Sequence, residues 1–272
     1  MTSPMKKILH IIKVGGNIID DEARLSEFLN RFASLEGAKV LVHGGGKLAT
    51  RLAADLKIPQ QIVDGRRITD VETLRIVTMV YAGLINKSIV AGLQARNCPS
   101  IGLCGADADI IRAHKRQHAT TDYGFVGDVD QVDGGRLAAL ADSGLAVILA
   151  PITHDGNGQL LNTNADTIAQ ETAKALSAHF DTTLIYCFEK AGVLLDAEDD
   201  STCIPTIDPD TFETLKSEGK IFAGMIPKLT NAFQALRSGV GKVVIGKAEE
   251  WDRLMSGATG TTITLHPQSH GR

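Results

Sequence analysis

A chain of 272 residues, 43% hydrophobic and 22% charged, is an ordinary globular sequence with enough apolar content for one large core or two modest ones. A net charge of −4 with no run of Lys and Arg excludes a nucleic-acid surface, which needs clustered cations to neutralise phosphates. No segment is expected to offer the roughly 20 apolar residues that cross a bilayer, and with 4% aromatics against 27 glycines, packing must rest on Ala, Val, Ile and Leu between tight turns.

In chain order, the first strand-like run is Ile8 to Val14. The lysines before it suit an export signal, but His10 and Lys13 interrupt the short apolar stretch, so export is not expected. The run ends Lys13-Val14-Gly15-Gly16. Glycines after a strand let backbone N–H groups approach an anion, and the lysine adds a point charge. Equally, Lys13 fits a strand-end lysine that reaches solvent above a tight turn. A second run, Lys39 to Val42, enters His43-Gly44-Gly45-Gly46-Lys47 and a helical segment. Gly44, Gly46 and Ala49 fit a dinucleotide fingerprint, but no acidic residue closes a following strand at the expected distance. His-Gly-Gly-Gly also matches the oxyanion loop of lipases, yet the chain has no G-x-S-x-G elbow. A phosphate cradle of backbone amides is the third reading.

The clearest helix runs from Asp70 to Gln94, with Leu74, Val77, Val80, Leu84, Ile85, Ile89 and Leu93 near a 3.6-residue period and Thr69 or Asp70 as its cap. Further strands are expected at Ser100 to Leu103, Ala146 to Ala150, Thr183 to Cys187 and Lys242 to Ile245. Strands alternating with helices predict an α/β fold: an open, mainly parallel sheet with helices on both faces. Asn162-Thr163-Asn164-Ala165-Asp166 opens a helix, for which a cap and a favourable first-turn acid are sufficient explanation. The acidic stretch from Asp196 to Pro209 reads as a surface excursion. Gly224-Met225-Ile226-Pro227-Lys228 opens another helix, where Lys228 opposes the macrodipole unless it serves an anion.

Several chemistries are excluded. Gly241-Lys242 and Gly246-Lys247 lack Walker A spacing and its Ser or Thr, and the protein-kinase signatures are missing. His114 with His118, and Asp107 with Asp109, fit surface positions better than a metal pair. Cys98, Cys104, Cys187 and Cys203 show no C-x-x-C spacing, and three of them sit in apolar surroundings, which suits a reducing, cytoplasmic setting. A boundary near Ser177 to Asp181 divides the chain into lobes 1–178 and 179–272.

Together and in order, these pieces resemble the amino acid kinase family over nearly the whole chain. The matching fragments are Lys13-Val14-Gly15-Gly16, Val42-His43-Gly44-Gly45-Gly46, Gly65-Arg66-Arg67-Ile68-Thr69, Asn86-Lys87, Gly102-Leu103-Cys104-Gly105, Phe125-Val126-Gly127-Asp128-Val129, Asn162 to Asp166 and Gly224 to Lys228. The resemblance implies a three-layer αβα sandwich that binds an acylamino acid on the N-terminal lobe and ATP on the C-terminal lobe. Its most similar branch transfers the γ-phosphoryl group of Mg²⁺-ATP to the side-chain carboxylate of N-acetylglutamate in arginine biosynthesis; N-succinylglutamate is the alternative substrate. It implies that Lys13 and Lys228 flank the phosphoryl group, that Gly16 and Gly45 add N–H donors, and that Asp166 holds the lysines. Arg67 and Asn162 would bind the acylamino acid, with Gly45 and Gly46 lining its pocket and no metal-ligating side chain. Glu189, Lys190, Gly192, Lys220 and Phe222 would contact the nucleotide. Cys187-Phe188-Glu189 departs from the Ser or Thr followed by Asp-Val of many relatives. The short lead before the first strand points to a homodimer without arginine feedback. An NAD-dependent oxidoreductase built on Gly44 to Ala49 is the rival of another class, and a non-catalytic sensor is disfavoured by the presence of both lysines and Asp166.

Overall fold

The computed structural model describes residues 6–63, 66–221 and 225–266. All six expected strands form, as Ile8–Val14, Ala38–His43, Ser100–Leu103, Ala146–Leu149, Asp181–Phe188 and Lys242–Lys247. They make the body of one eight-stranded sheet and pair in parallel throughout. Two short strands, Thr261–Ile263 and Thr206–Ile207, complete one edge, the first of them antiparallel to Lys242–Lys247. The fold class is therefore the expected open, mainly parallel α/β sheet. The expected boundary near Ser177 to Asp181 does not interrupt it, because Asp181–Phe188 pairs along the whole of Ile8–Val14.

Strand alternation divides the interior in two. Leu9 and Ile11 join Val40, Val42, Leu184 and Tyr186 beneath helices Ala165–Leu176 and Ile226–Arg237. Ile12 and Val14 join Leu41, Ile185 and Cys187 beneath helix Glu22–Ser34 and the long helical run that starts at Val71. Ile8–Val14 lies between Ala38–His43 and Asp181–Phe188, so the chain leaves it on one side and returns on the other. Open α/β sheets bind ligands in the crevice at the carboxyl ends of such a pair of strands.

The expected helix from Asp70 is met by Val71–Val77, Thr78–Ile85 and Asn86–Gln94, and Asp70 caps it by accepting the Thr73 N–H at 2.7 Å. Its middle portion, Thr78–Ile85, is π-helical, which the apolar period does not reveal. At 24 residues it is long and apolar enough to cross a membrane, which corrects the expectation that no segment is, and it is the one such helix among the described residues. Leu74, Val77, Val80, Ile85, Ile89 and Leu93 nevertheless bury one side of it against the sheet.

Four of the unexpected strands belong together. Ile111–Lys115, Val126–Val132, Ile152–His154 and Leu160–Thr163 close into a small barrel beside the sheet. They are short or rich in polar residues, as in Val126-Gly127-Asp128-Val129-Asp130-Gln131-Val132, and so carry little period-2 signal. Thr206–Ile207 likewise lies inside the expected surface excursion. The four cysteines are free, with Cys98 and Cys187 buried and Cys104 and Cys203 only half-buried, one buried thiol fewer than expected.

A knot of backbone bonds fastens the barrel to the start of the long helix. Tyr123 O accepts from Thr69 N at 3.0 Å, Thr69 O from Phe125 N at 2.6 Å, and Phe125 O from Asn162 N at 2.8 Å. Gly124 turns within this knot at φ +69°, and a Cβ there would overlap the Thr69 carbonyl. Gly144 has a similar φ of +85° but open space around it. Gly124→Ala should lower the unfolding free energy by about 2–3 kcal/mol, against about 1 kcal/mol for Gly144→Ala. Equal losses in urea titrations would show that the knot is not under steric constraint.

Candidate active site

Lys13 is only 8% exposed, so it does not reach out to solvent from the strand end. It shares its strand face with Leu9 and Ile11, which turns it towards helix Ala165–Leu176. Asn164 caps that helix, its Oδ1 accepting the N–H groups of Asp166 at 2.8 Å and Thr167 at 3.2 Å. The cap thereby leaves the Asp166 carboxylate free to pair with Lys13, at 2.7 Å. Lys39, also buried, contrasts with it: its Nζ donates to the carbonyls of Phe32, Ala33 and Leu35 and closes the end of helix Glu22–Ser34.

Lys228 sits in the first turn of Ile226–Arg237 and meets Lys13 across Phe188. Its Nζ stands 3.6 Å from the centroid of the Phe188 ring, and that of Lys13 stands at 5.4 Å. Phe188 in turn stacks on Tyr186, with centroids 6.1 Å apart. Burial lowers the pKa of Lys228; Asp166 opposes that shift and the charge of Lys13 adds to it. The ring and the carboxylate accommodate a cation that the helix N-terminus disfavours.

Gly16 opens the short helix Gly16–Ile19, and Gly45 stands at the N-cap of Gly46–Asp55. Neither helix end has a side-chain cap, so backbone N–H groups are presented at both loops. Gly45 has φ +154°, and a Cβ there would overlap Ile85 and approach Tyr81 to 3.0 Å. The loops are tied together by Lys47, which donates to Asn17 Oδ1, and by Arg51, 3.7 Å from Asp20.

Gly44, Gly45, Gly46, Arg67 and Asn162 line a cavity of about 870 Å³, and Asn164 and Ala165 carry its wall to the residue next to Asp166. Arg67 is anchored by bonds from Nη2 to Gly46 O at 3.0 Å and to Thr50 Oγ1 at 2.9 Å, and from Nη1 to Gln60. Both N–H groups of Nη2 are engaged this way and Tyr81 bonds the guanidinium as well, so Arg67 is held in place on the cavity wall. Asn162 donates to Thr69 Oγ1 at 3.0 Å, so the barrel and the long helix position it together.

The expected nucleotide residues are not drawn into one cavity. Glu189 lines a recess with Gly15 and Gly16. Lys190 pairs with Glu198 at 3.7 Å, and Lys220 with Glu218 at 2.8 Å. At Gly192 a Cβ would come within 2.6 Å of both Cys203 Sγ and Thr261 Oγ1, so this glycine serves packing. Phe222, and with it Gly65 and Gly224 of the quoted fragments, lies outside the described residues. Among the described residues no group of three or more His, Cys, Asp or Glu is placed to hold a metal.

Sequence reasoning missed Tyr81, Arg51, Arg116 and Phe188. Tyr81 reaches the cavity through the π-helix, for which the sequence gives no signal; Arg116 arrives on the barrel and is paired with Asp128. Lys47 and Phe188 stood inside quoted motifs, so their positions, though not their contacts, were on view.

The amino acid kinase family model matches residues 9–247. An acetylglutamate kinase of Bacteroides fragilis is 58% identical over 245 residues, covering 90% of this chain and 94% of its own. That of Cytophaga hutchinsonii is 57% identical over 91% of this chain and 94% of its own, and that of Methanopyrus kandleri 35% over 89% and 96%. Among solved structures, carbamate kinase from Giardia lamblia bound to AMP-PNP superposes with a TM-score of 0.68 at 13% identity, covering 96% of this chain and 99% of that one. N-acetylglutamate synthase from Neisseria gonorrhoeae gives 0.81 at 20% identity, covering 97% of this chain and 60% of that longer one. On its sequence, and on a fold shared with both structures, the chain belongs to the amino acid kinase family.

Proposed function

We propose that this chain transfers the γ-phosphoryl group of ATP to the side-chain carboxylate of N-acetylglutamate, in arginine biosynthesis. The observation that carries the reading is the Lys13–Asp166–Lys228 cluster at the carboxyl end of the central strand, next to the cavity. Phosphoryl transfer asks for in-line positioning and for neutralisation of spread negative charge. The acceptor carboxylate is already ionised at neutral pH, so no general base is needed. Lys13 and Lys228 neutralise the two anions that must meet, and the N–H groups of Gly16 and Gly45 add donors to the transferring group. The positive charge of Arg67 on the cavity wall suits a second carboxylate, and Asn162 suits the acylamino group. The names of the 58% and 35% identical relatives favour the acetyl group over succinyl.

Lobe 1–178 takes the acylamino acid, and lobe 179–272 takes ATP through the surroundings of Glu189, Lys190, Gly192, Lys220 and Phe222. Mg²⁺, when bound, neutralises the β- and γ-phosphates. Such an ion would be held mainly by phosphate oxygens and water.

The test is ADP release from Mg-ATP with N-acetylglutamate, N-succinylglutamate, glutamate and aspartate, with hydroxylamine trapping the acyl phosphate. A hydroxamate from N-acetylglutamate is expected, and Lys13→Ala or Lys228→Ala should cut turnover about 100-fold or more. Unchanged turnover in either variant would remove that lysine from the mechanism.

Lys228 must be charged to act, and its lowered pKa brings loss of turnover on the alkaline side below the ordinary lysine value. Asp166 raises that pKa, so Asp166→Asn should move the alkaline limb of the kcat profile to lower pH. A limb that stays in place or moves up would show that Asp166 does not hold the charge of Lys228.

A cytoplasmic homodimer completes the reading. Of the seven large apolar side chains exposed among the described residues, Val71, Met79 and Leu84 lie on the long helix, each at least half exposed. A second copy of the chain covering that side is the occupant we favour. Sedimentation should give a dimer that Leu84→Glu weakens; a wild-type monomer at micromolar concentration would end the proposal.

A further inference from the structure

His43 ends the second strand, one residue before the glycine loop, and is completely buried. It shares its strand face with Leu41 and pairs in register with Val14, so it turns away from Lys13 and towards the long helix. Its Nδ1 lies 2.8 Å from the carbonyl oxygen of its neighbour Gly44. Its Nε2 lies 3.3 Å from Nδ2 of Asn86, the residue that follows the π-helical turn and is itself fully buried.

The Asn86 carboxamide cannot be turned round. Its Nδ2 also donates to Ile148 O at 3.0 Å, and its Oδ1 accepts from Lys87 Nζ at 3.1 Å. Lys87 is fastened in turn to Gly102 O at 2.6 Å. The reversed orientation would set an oxygen against a carbonyl and an NH₂ group against an ammonium, which can only donate. Asn86 therefore presents N–H to His43, Nε2 accepts it, and the ring hydrogen sits on Nδ1, donated to Gly44 O. The described peptide bonds include no cis bond. In a trans peptide the C=O and the following N–H point to opposite sides. Anchoring the Gly44 carbonyl on the buried side turns the Gly45 N–H away from it, towards the cavity that Gly45 lines.

We infer that His43, held as the Nδ1–H tautomer by Asn86 and Lys87, is a positioning residue that aims the Gly45 N–H at the transferring phosphoryl group. The inference rests on the kinase reading of that loop. Two further features agree with it. A Cβ at Gly102 would overlap the Asn86 carboxamide, so the strand makes room for this amide. Burial pushes the His43 pKa down to about 4, and the nearby charge of Lys87 acts in the same direction, so the ring stays neutral through the working range.

The first test needs no variant that must work. Nitrogen-15 NMR of the imidazole rings in the wild-type protein at neutral pH, with His43 identified by its loss in His43→Gln, should show an Nδ1–H tautomer. An Nε2–H tautomer or an imidazolium would overturn the inference. The second test is Asn86→Asp, which offers the ring only an acceptor. Nε2 must then carry a hydrogen, and Nδ1 keeps its own only while the ring is an imidazolium. We expect kcat to fall about 100-fold as pH rises through the newly raised His43 pKa, with the ATP KM held and the wild type flat over the same range. A wild-type pH profile in this variant would also overturn the inference, and should the variant not fold, the spectrum decides alone. If the expected tautomer is seen but the wild type shows no kinase activity, the kinase reading beneath the inference fails instead, and the two failures are told apart.

Discussion

Lys13 and Lys228 repel each other, and the carboxylate of Asp166 makes their approach tolerable. The charge of Lys13 lowers the pKa of Lys228, and that of Asp166 raises it. A cluster of this kind survives folding only where an opposite charge is fixed between the repelling groups. The fixing is done by secondary structure. Asn164 takes the capping role at the start of Ala165–Leu176, so Asp166 is not drawn into it and pairs with Lys13 at 2.7 Å. Phe188 provides the other wall, its π-face 3.6 Å from Lys228. A negative ring face holds an ammonium less firmly than a phosphate does, so the lysine is retained without being committed.

The rest of the site follows from the polarity and alternation of a parallel sheet. Ile8–Val14 and Ala38–His43 run side by side in the same direction, so their two glycine loops emerge together. Alternation then separates two functions at one strand end. Lys13 and Tyr186 turn to the face of Ala165–Leu176, where the charges gather, while His43 and Val14 turn to the face of the long helix, where the loop is braced. A shift of one residue in register would exchange these faces and bury Lys13 among Ile12, Leu41 and Ile185. The apolar run that looks uniform in sequence therefore carries strict positional information.

How much of this was legible depended on the range of the signal. The six parallel strands of the main sheet, the cap at Asp70 and the helix opening at Ala165 rest on local patterns, and each formed where its pattern lay. Lys13, Gly45 and Lys228 drew notice because glycines after a strand and a lysine against a helix dipole are locally odd, whereas the roles expected of Asp166 and Arg67 came only from the family resemblance. The barrel was not legible, because its strands are short or rich in polar residues and so carry little period-2 signal. The π-helix was hidden because an apolar stretch such as Thr78–Ile85 reads alike at 3.6 or 4.4 residues per turn. Gly192 carries a second constraint that a loop glycine does not announce in sequence: its missing Cβ makes room for Cys203 and Thr261.

Backbone donors suit phosphoryl transfer because they need no reorganisation as charge moves, but a flexible glycine loop would forfeit that advantage. Here the loop is held on three sides. Ile85 and Tyr81 press on Gly45 from the long helix, Arg67 bonds Gly46 O at 3.0 Å from the cavity mouth, and His43 bonds Gly44 O at 2.8 Å from beneath. Gly45 is thus required for its small size and its φ of +154°, while the freedom of the loop is removed by neighbours. The Arg67 bond adds a coupling: the guanidinium that lines the cavity also holds the Gly46 carbonyl of the glycine loop. On the proposed function, substrate that draws on the guanidinium would act on the loop, which would couple binding to alignment of the transferring group.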